Sequence, residues 1–145
     1  MSVLRRLDHV AVLVHSTDDA LRFYRDHLGL AVHSSEEIPS PHVRLTYLDA
    51  GNAFVQLVEP LEEGSDLAKW LQEHGEGLHH ICFGVDDVAD AVAALSDDGS
   101  AGMLGTGRGR VSGFVATSGG NGVRIECTEF DRALDVEGAP GWLAR

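Results

Sequence analysis

Lysine is almost missing from this chain: Lys69 is the only one, and 23 acidic residues against 11 basic ones leave a formal charge of −12. Such a chain has no basic stripe with which to displace counterions from a polyanion, so nucleic acid is excluded as a partner. An anionic small molecule would need a local arginine patch, and Arg108, Arg110 and Arg124 are the main late basic residues. Long apolar runs are missing as well. None approaches the ~20 residues that span a bilayer, so no membrane partner is expected. The opening Met1-Ser2-Val3-Leu4-Arg5-Arg6 lacks the apolar centre of a signal peptide, and a cytoplasmic location is expected. Cysteine is scarce too. Cys82 and Cys127 each sit in an apolar, strand-like run, which predicts reduced, buried thiols and no disulfide.

What is present is short apolar strands separated by acidic turns and helices. Residues 7–14 read as a strand buried on both faces, with His9, Ala11 and Leu13 on one side and Val10, Val12 and Val14 on the other. Ser16-Thr17-Asp18-Asp19 supplies a cap and first-turn acids for a helix with Leu21, Tyr24 and Leu28 at helical spacing, ended by Gly29. Leu30 to His33 predicts a second strand, and the polar stretch Ser34 to Pro41, with two prolines, predicts a loop. Strands follow at Val43 to Leu48 and Ala53 to Val58. A short amphipathic helix, Ser65 to Glu73, then shows Leu67, Trp70 and Leu71 on one face.

The pattern repeats. A strand at 78–85 leads to a helix with Val88, Ala91, Val92 and Leu95, then to Gly99 and a strand near Ala101 to Leu104. The glycine-rich stretch 105–110 precedes strands at Val111 to Thr117 and Val123 to Thr128. The tail from Asp131, with Trp142 and Leu143, has no strong period, and docking on the body or on a second subunit is the expectation for it. Landmarks of three kinds recur at one offset: His9 and His80 lie 71 residues apart, Gly29 and Gly99 lie 70 apart, and so do Gln56 and Glu126. The chain therefore reads as an α+β protein of two tandem β-α-β-β-β modules. Module one covers about 6–60, the connector helix 61–76 and module two about 77–130, with 131–145 as the C-terminal tail.

The repeat aligns one histidine from the first strand of each module and one oxygen donor, Gln56 or Glu126, from the last. Both oxygen donors are flanked by apolar residues, and a buried carboxylate costs several kcal/mol unless paired or metal-bound. Modules facing each other would bring His9, Gln56, His80 and Glu126 to one cleft. Two imidazoles, an amide oxygen and a carboxylate suit a borderline divalent ion: Co²⁺, Ni²⁺, Zn²⁺, Mn²⁺ or Fe²⁺. Strand alternation points His79, and its counterpart Asp8, away from that cleft. His15, His27, His33, His42 and His74 read as solvated.

Several of these segments resemble the vicinal oxygen chelate superfamily of glyoxalase- and bleomycin-resistance-like proteins, and within it the family of methylmalonyl-CoA epimerases. The resemblance covers residues 7–129. It is carried by Leu7-Asp8-His9-Val10-Ala11-Val12, Phe23-Tyr24 with Leu28-Gly29-Leu30, and Gln56-Leu57-Val58-Glu59-Pro60-Leu61. Ala68-Lys69-Trp70-Leu71, Gly75-Glu76-Gly77-Leu78-His79-His80-Ile81 and Val123-Arg124-Ile125-Glu126 complete it.

The resemblance implies one domain over 1–145, a half-open barrel around a metal cleft, and metal ligands at His9, Gln56, His80 and Glu126. It also implies a homodimer, an acyl-CoA substrate of the malonyl type, and Glu126 as a catalytic acid–base group. Arg108, Arg110 and Lys69 are then candidate contacts for the CoA phosphates. Two departures stand out. Leu45 occupies the place of the family's second glutamate, with Glu36, Glu37 and His42 nearby, and Ala116-Thr117-Ser118 replaces a His-Pro-Lys segment. A glyoxalase-type isomerase or lyase needs only one metal-linked base and is the rival enzyme reading. A small-molecule binding or resistance protein is the rival without catalysis.

Overall fold

The computed structural model describes residues 3–130, and the tail from Asp131, with Trp142 and Leu143, lies outside the described residues. The chain is α+β. In order, it runs β1 (Leu4–Leu13), α1 (Thr17–Leu21) continued by a π-helical turn (Arg22–His27), β2 (Ala31–Pro39), β3 (His42–Asp49) and β4 (Phe54–Pro60). After α2 (Asp66–His74) come β5 (Gly77–Val85), α3 (Val88–Leu95), β6 (Leu104–Gly107), β7 (Arg110–Phe114) and β8 (Arg124–Glu129). The β-α-β-β-β order thus occurs twice, with α2 between the copies. None of the described helices is long and apolar enough to cross a membrane.

The chain forms two compact units, Val10–His79 and the remainder, so the division falls inside β1 and just before His80 in β5. In the Val10–His79 unit the strand order is β2-β3-β4-β1. One face of its strands buries Ala11, Leu13 and Val58 under Leu71 of α2, with Leu45, Leu67 and Trp70 packed alongside. The other face buries Val14, Leu48 and Leu57 under Leu21 of α1. Each fully buried Leu or Val contributes about 1.5–3 kcal/mol relative to exposure. Ser16 caps α1 by accepting from Asp19 N, and Ser65 caps α2 by accepting from Ala68 N. Leu28, expected on the buried stripe of the first helix, is exposed: the π-helical turn after Leu21 rotates the stripe away from the core.

Of the stretch expected to be a loop, Ser34 to Pro41, the part up to Pro39 is instead strand. It pairs with β3 from Ala31↔Asp49 to Pro39↔His42, with an irregularity between Val32 and Ser34. β2 is an edge strand, where polar side chains and a terminal proline are tolerated because one row of backbone groups faces solvent.

In the other unit the order is β1-β5-β8-β7-β6, with β5 and β8 parallel and β7 antiparallel to both neighbours. Val85, Val88, Ala91, Val92 and Cys127 form its core between α3 and the strands. Its third strand runs over Leu104–Gly107, later than the expected 101–104, because the β6–β7 register Gly107↔Arg110 closes on a two-residue turn at Arg108-Gly109. Both turn residues have positive φ, 55° and 71°, the signature of a type I′ hairpin. Cys82 and Cys127 are both free and buried.

Candidate metal centre

Three side chains of one unit meet at short range: His9 from β1, His80 from β5 and Glu126 from β8. His9 Nε2 and His80 Nε2 are 3.4 Å apart. Glu126 Oε1 lies 3.4 Å from His9 Nε2 and 3.2 Å from His80 Nε2. The strands explain the convergence. Cys82 is the direct partner of Glu126 across the parallel β5–β8 ladder, so His80, two residues earlier, leaves β5 on the face that carries Glu126.

His9 is held in one tautomer. Its Nδ1–H donates to Asp8 Oδ2 at 2.6 Å, which leaves the Nε2 lone pair toward His80 and Glu126. Asp8 is only 2% exposed, and it also accepts from Arg108 Nη2 at 2.5 Å. Burial alone would raise the Asp8 pKa, but the bond from His9 and the charge of Arg108 outweigh it and hold the carboxyl below its ordinary range. Burial likewise disfavours a charged His9, and the bonds that the protonated ring makes to Asp8 and Glu126 reverse that, raising its pKa. Glu126 is also opposed by burial; its bonds to His80 and His9 push it far below a normal glutamate. Cys82 lies with Asp8 and His9, and burial with the nearby Glu126 and Asp8 charges raises its thiol pKa well above normal. It is a protonated filler, not a nucleophile.

Two acceptor nitrogens and a carboxylate at this separation repel one another unless a cation sits among them. Donors each ~2.1 Å from a shared ion stand roughly 3.0–3.4 Å apart in octahedral or tetrahedral coordination, the spacing seen here. The donor set therefore fits a divalent ion.

Gln56 belongs to the other unit. Its Nε2 donates to Tyr47 Oη at 2.8 Å, and its Oε1 is buried without a hydrogen-bond partner. That buried amide oxygen is a lone-pair donor left without a protein partner. In the same unit Leu45 packs on the Ala11–Leu13–Val58 core and pairs with Glu36 of β2 and Val58 of β4. Partners across an antiparallel ladder share a face, so half-buried Glu36 stands on the Leu45–Tyr47 side of these strands.

The sequence reading missed two members of the centre. Asp8 does not point away: it bonds His9. Arg108 does not offer itself to a CoA phosphate, because its side chain is only 10% exposed and is committed to Asp8. The Asp-His dipeptide and an arginine in a glycine-rich hairpin were the available signals. Arg110 is half-buried against Glu129 O, and Lys69 is exposed on α2. His79 is buried with its ring edge-on to Trp70, 5.4 Å between centroids.

Residues 8–117 match the glyoxalase/bleomycin resistance protein/dioxygenase superfamily. An ethylmalonyl-CoA/methylmalonyl-CoA epimerase of Cereibacter sphaeroides is 34% identical over 110 residues, 75% of this chain and 81% of that protein. The crystal structure of methylmalonyl-CoA epimerase from Mycobacterium tuberculosis has a TM-score of 0.80 at 28% identity, covering 96% of this chain and 95% of its own. A methylmalonyl-CoA epimerase solved in complex with methylmalonyl-CoA and NH4+ has a TM-score of 0.75 at 32% identity, covering 87% of this chain and 94% of its own.

Proposed function

From the premise that the chain belongs to the glyoxalase/bleomycin resistance protein/dioxygenase superfamily, we propose that it is a metal-dependent epimerase of a malonyl-type acyl-CoA. The observation that carries this reading is the triangle of His9, His80 and Glu126 donor atoms, 3.2–3.4 Å on each edge, with His9 fixed from behind by Asp8. The epimerases among the relatives, one of them holding methylmalonyl-CoA, support the substrate class.

In this reading His9, His80, Glu126 and Gln56 hold a divalent ion of the Co, Ni, Zn, Mn or Fe group. Gln56 is included because its buried amide oxygen has no other partner. When bound, the ion supplies Lewis-acid polarisation of the substrate's oxygens, which makes the α-proton more acidic. Asp8 keeps the His9 lone pair presented, and Glu126, ionised throughout the physiological range, takes up the proton on one face of the α-carbon.

Epimerisation returns a proton to the opposite face, so a second acid–base group is needed. Leu45 has no proton to exchange. Its cross-strand partner Glu36 carries a carboxylate on the same side of the ladder, and we assign the second role to Glu36.

The test is α-carbon deuterium exchange on methylmalonyl-CoA with metal-reconstituted protein. Exchange is expected, with loss on chelation and recovery on adding metal back. No exchange after metal is restored sinks the proposal. The apolar Leu45 favours one further reading, a glyoxalase-type isomerase or lyase with a single base. Turnover of a hemithioacetal without α-exchange on any acyl-CoA would establish that instead.

A further inference from the structure

β8 carries two unlike residues on one face. Arg124 and Glu126 are two apart, so their side chains leave the strand on the same side. The ladders on both flanks keep that side. His80 is the direct partner of Arg124 across β5–β8, and Phe114 is the direct partner of Glu126 across β7–β8. The contacts agree with the register. The Phe114 and His80 rings meet edge to face with centroids 5.1 Å apart, and the Arg124 guanidinium carbon lies 4.7 Å over the Phe114 ring.

The other ion-paired arginines of the described residues face carboxylates: Arg5 meets Asp86, Arg22 meets Asp19, Arg25 meets Asp26, Arg44 meets Asp18 and Arg108 meets Asp8. Arg124 is exposed, and no ion pair among the described residues engages it. In a chain of net charge −12 that is a conspicuous position for a cation. Stacking on Phe114 orients the guanidinium without using its N–H donors, which remain available for a planar, two-oxygen anion.

We propose that Arg124 is an anion-binding residue beside the His9–His80–Glu126 centre and that it receives the free carboxylate of a dicarboxylic acyl thioester. The inference rests on the malonyl-type acyl-CoA reading above and names the residue that reads the acyl carboxylate. Proximity selects the anion. Arg124 is one inter-strand spacing, about 4.8 Å, from His80 along the backbone. The CoA phosphates lie at the far end of the pantetheine arm from the thioester, so the anion within reach belongs to the acyl group. Charge favours the arginine there: in a chain of net charge −12, a fixed guanidinium supplies a local attraction for a substrate carboxylate.

The test is calorimetric binding of methylmalonyl-CoA and propionyl-CoA to the metal-loaded full chain. These ligands share the CoA arm and differ by the carboxylate. Wild type is expected to prefer methylmalonyl-CoA. Arg124→Leu should weaken methylmalonyl-CoA by about 10- to 100-fold, the range for a lost charge-assisted contact, and leave propionyl-CoA within about twofold. Arg124→Lys should recover part of the loss, since it restores the charge without the fork. Arg124→Gln, which keeps a polar side chain without the charge, should behave like the leucine variant; it serves as the second variant should the leucine one fail to fold.

An equal loss for both ligands overturns the inference, as does no loss for either. Wild type that binds both thioesters equally overturns it too while leaving the acyl-CoA reading intact. Wild type that binds neither overturns that reading and this inference with it.

Discussion

Arg108 sits at the tip of the β6–β7 hairpin with φ 55°, a conformation in which a residue with a Cβ costs roughly 1–2 kcal/mol. Its side chain ends on Asp8, exactly 100 positions away in sequence and nearly inaccessible. Arg108→Gly separates these two effects. Glycine relieves the backbone strain, while removal of the guanidinium leaves a buried carboxylate with only His9 to satisfy it. Breaking a buried ion pair from one side costs about 3–5 kcal/mol. Subtracting the relieved strain leaves a net loss of about 1–4 kcal/mol, a sizeable share of the ~5–15 kcal/mol of a whole domain. At roughly 3–4 °C per kcal/mol for a chain of this size, the metal-free melting temperature should fall by about 3–16 °C.

The same variant should weaken metal binding by about 10- to 100-fold, because Asp8, without its second partner, holds His9 less firmly. Thermal melts read the first effect, and chelator competition at fixed pH reads the second. Combining Arg108→Gly with Asp8→Asn should show a coupling above about 1 kcal/mol, since the two residues share one interaction. Wild-type stability and wild-type metal affinity in Arg108→Gly would refute the idea that this arginine organises the centre.

Chelation should lower the melting temperature, and saturating metal at about 100 times its Kd should restore ~2.7 kcal/mol; equal melts in both states would argue against a native metal site. Gln56→Leu should cut metal affinity by tenfold or more, with a much smaller effect on the melt of the metal-free protein than Arg108→Gly; chelator competition checks it. Glu36→Gln should reduce epimerisation while sparing α-proton exchange from the face served by Glu126, and parallel loss of both would assign Glu36 a structural role. Gly120→Ala should destabilise more than Gly113→Ala in urea titrations: a Cβ at 120 meets Val123 O at 2.2 Å, a backbone atom, whereas at 113 it meets the end of Leu104 at 2.7 Å. In metal-free protein, Asp8 has a folded pKa below the 3.8 of a free aspartate, so its stabilisation is present above that pH and is lost as pH falls through the lowered value. His9 has a folded pKa above 6.5, so its contribution is full below 6.5 and is lost as pH rises through the raised value. Urea midpoints should therefore peak between the two, and a steady rise from about pH 5 to pH 9 would contradict the assigned bonds.

The repeat was legible because period-two alternation and a near-constant offset survive in the letters themselves: His9 and His80, Gln56 and Glu126 could be matched before any backbone was placed. Strand β2 was not, because an edge strand needs few apolar residues, and Ser34 to Glu37 carries the composition of a loop while pairing residue for residue with β3. Asp8 was misplaced for a different reason. Alternation fixes the side of a strand from which a side chain departs, and says nothing of where a short carboxylate turns afterwards; the bond to the next residue's Nδ1 is set by side-chain torsions. Arg108 adds the last difficulty, since its contact with Asp8 joins two ends of the chain through a hairpin whose register depends on Gly109 at positive φ. The atoms proposed to face a metal were therefore readable from a local pattern, whereas the atoms that hold His9 in place are joined only through tertiary structure. It follows that substitutions in the β6–β7 turn should disturb the centre more than their loop-like sequence suggests, and Arg108 is the residue through which that disturbance passes.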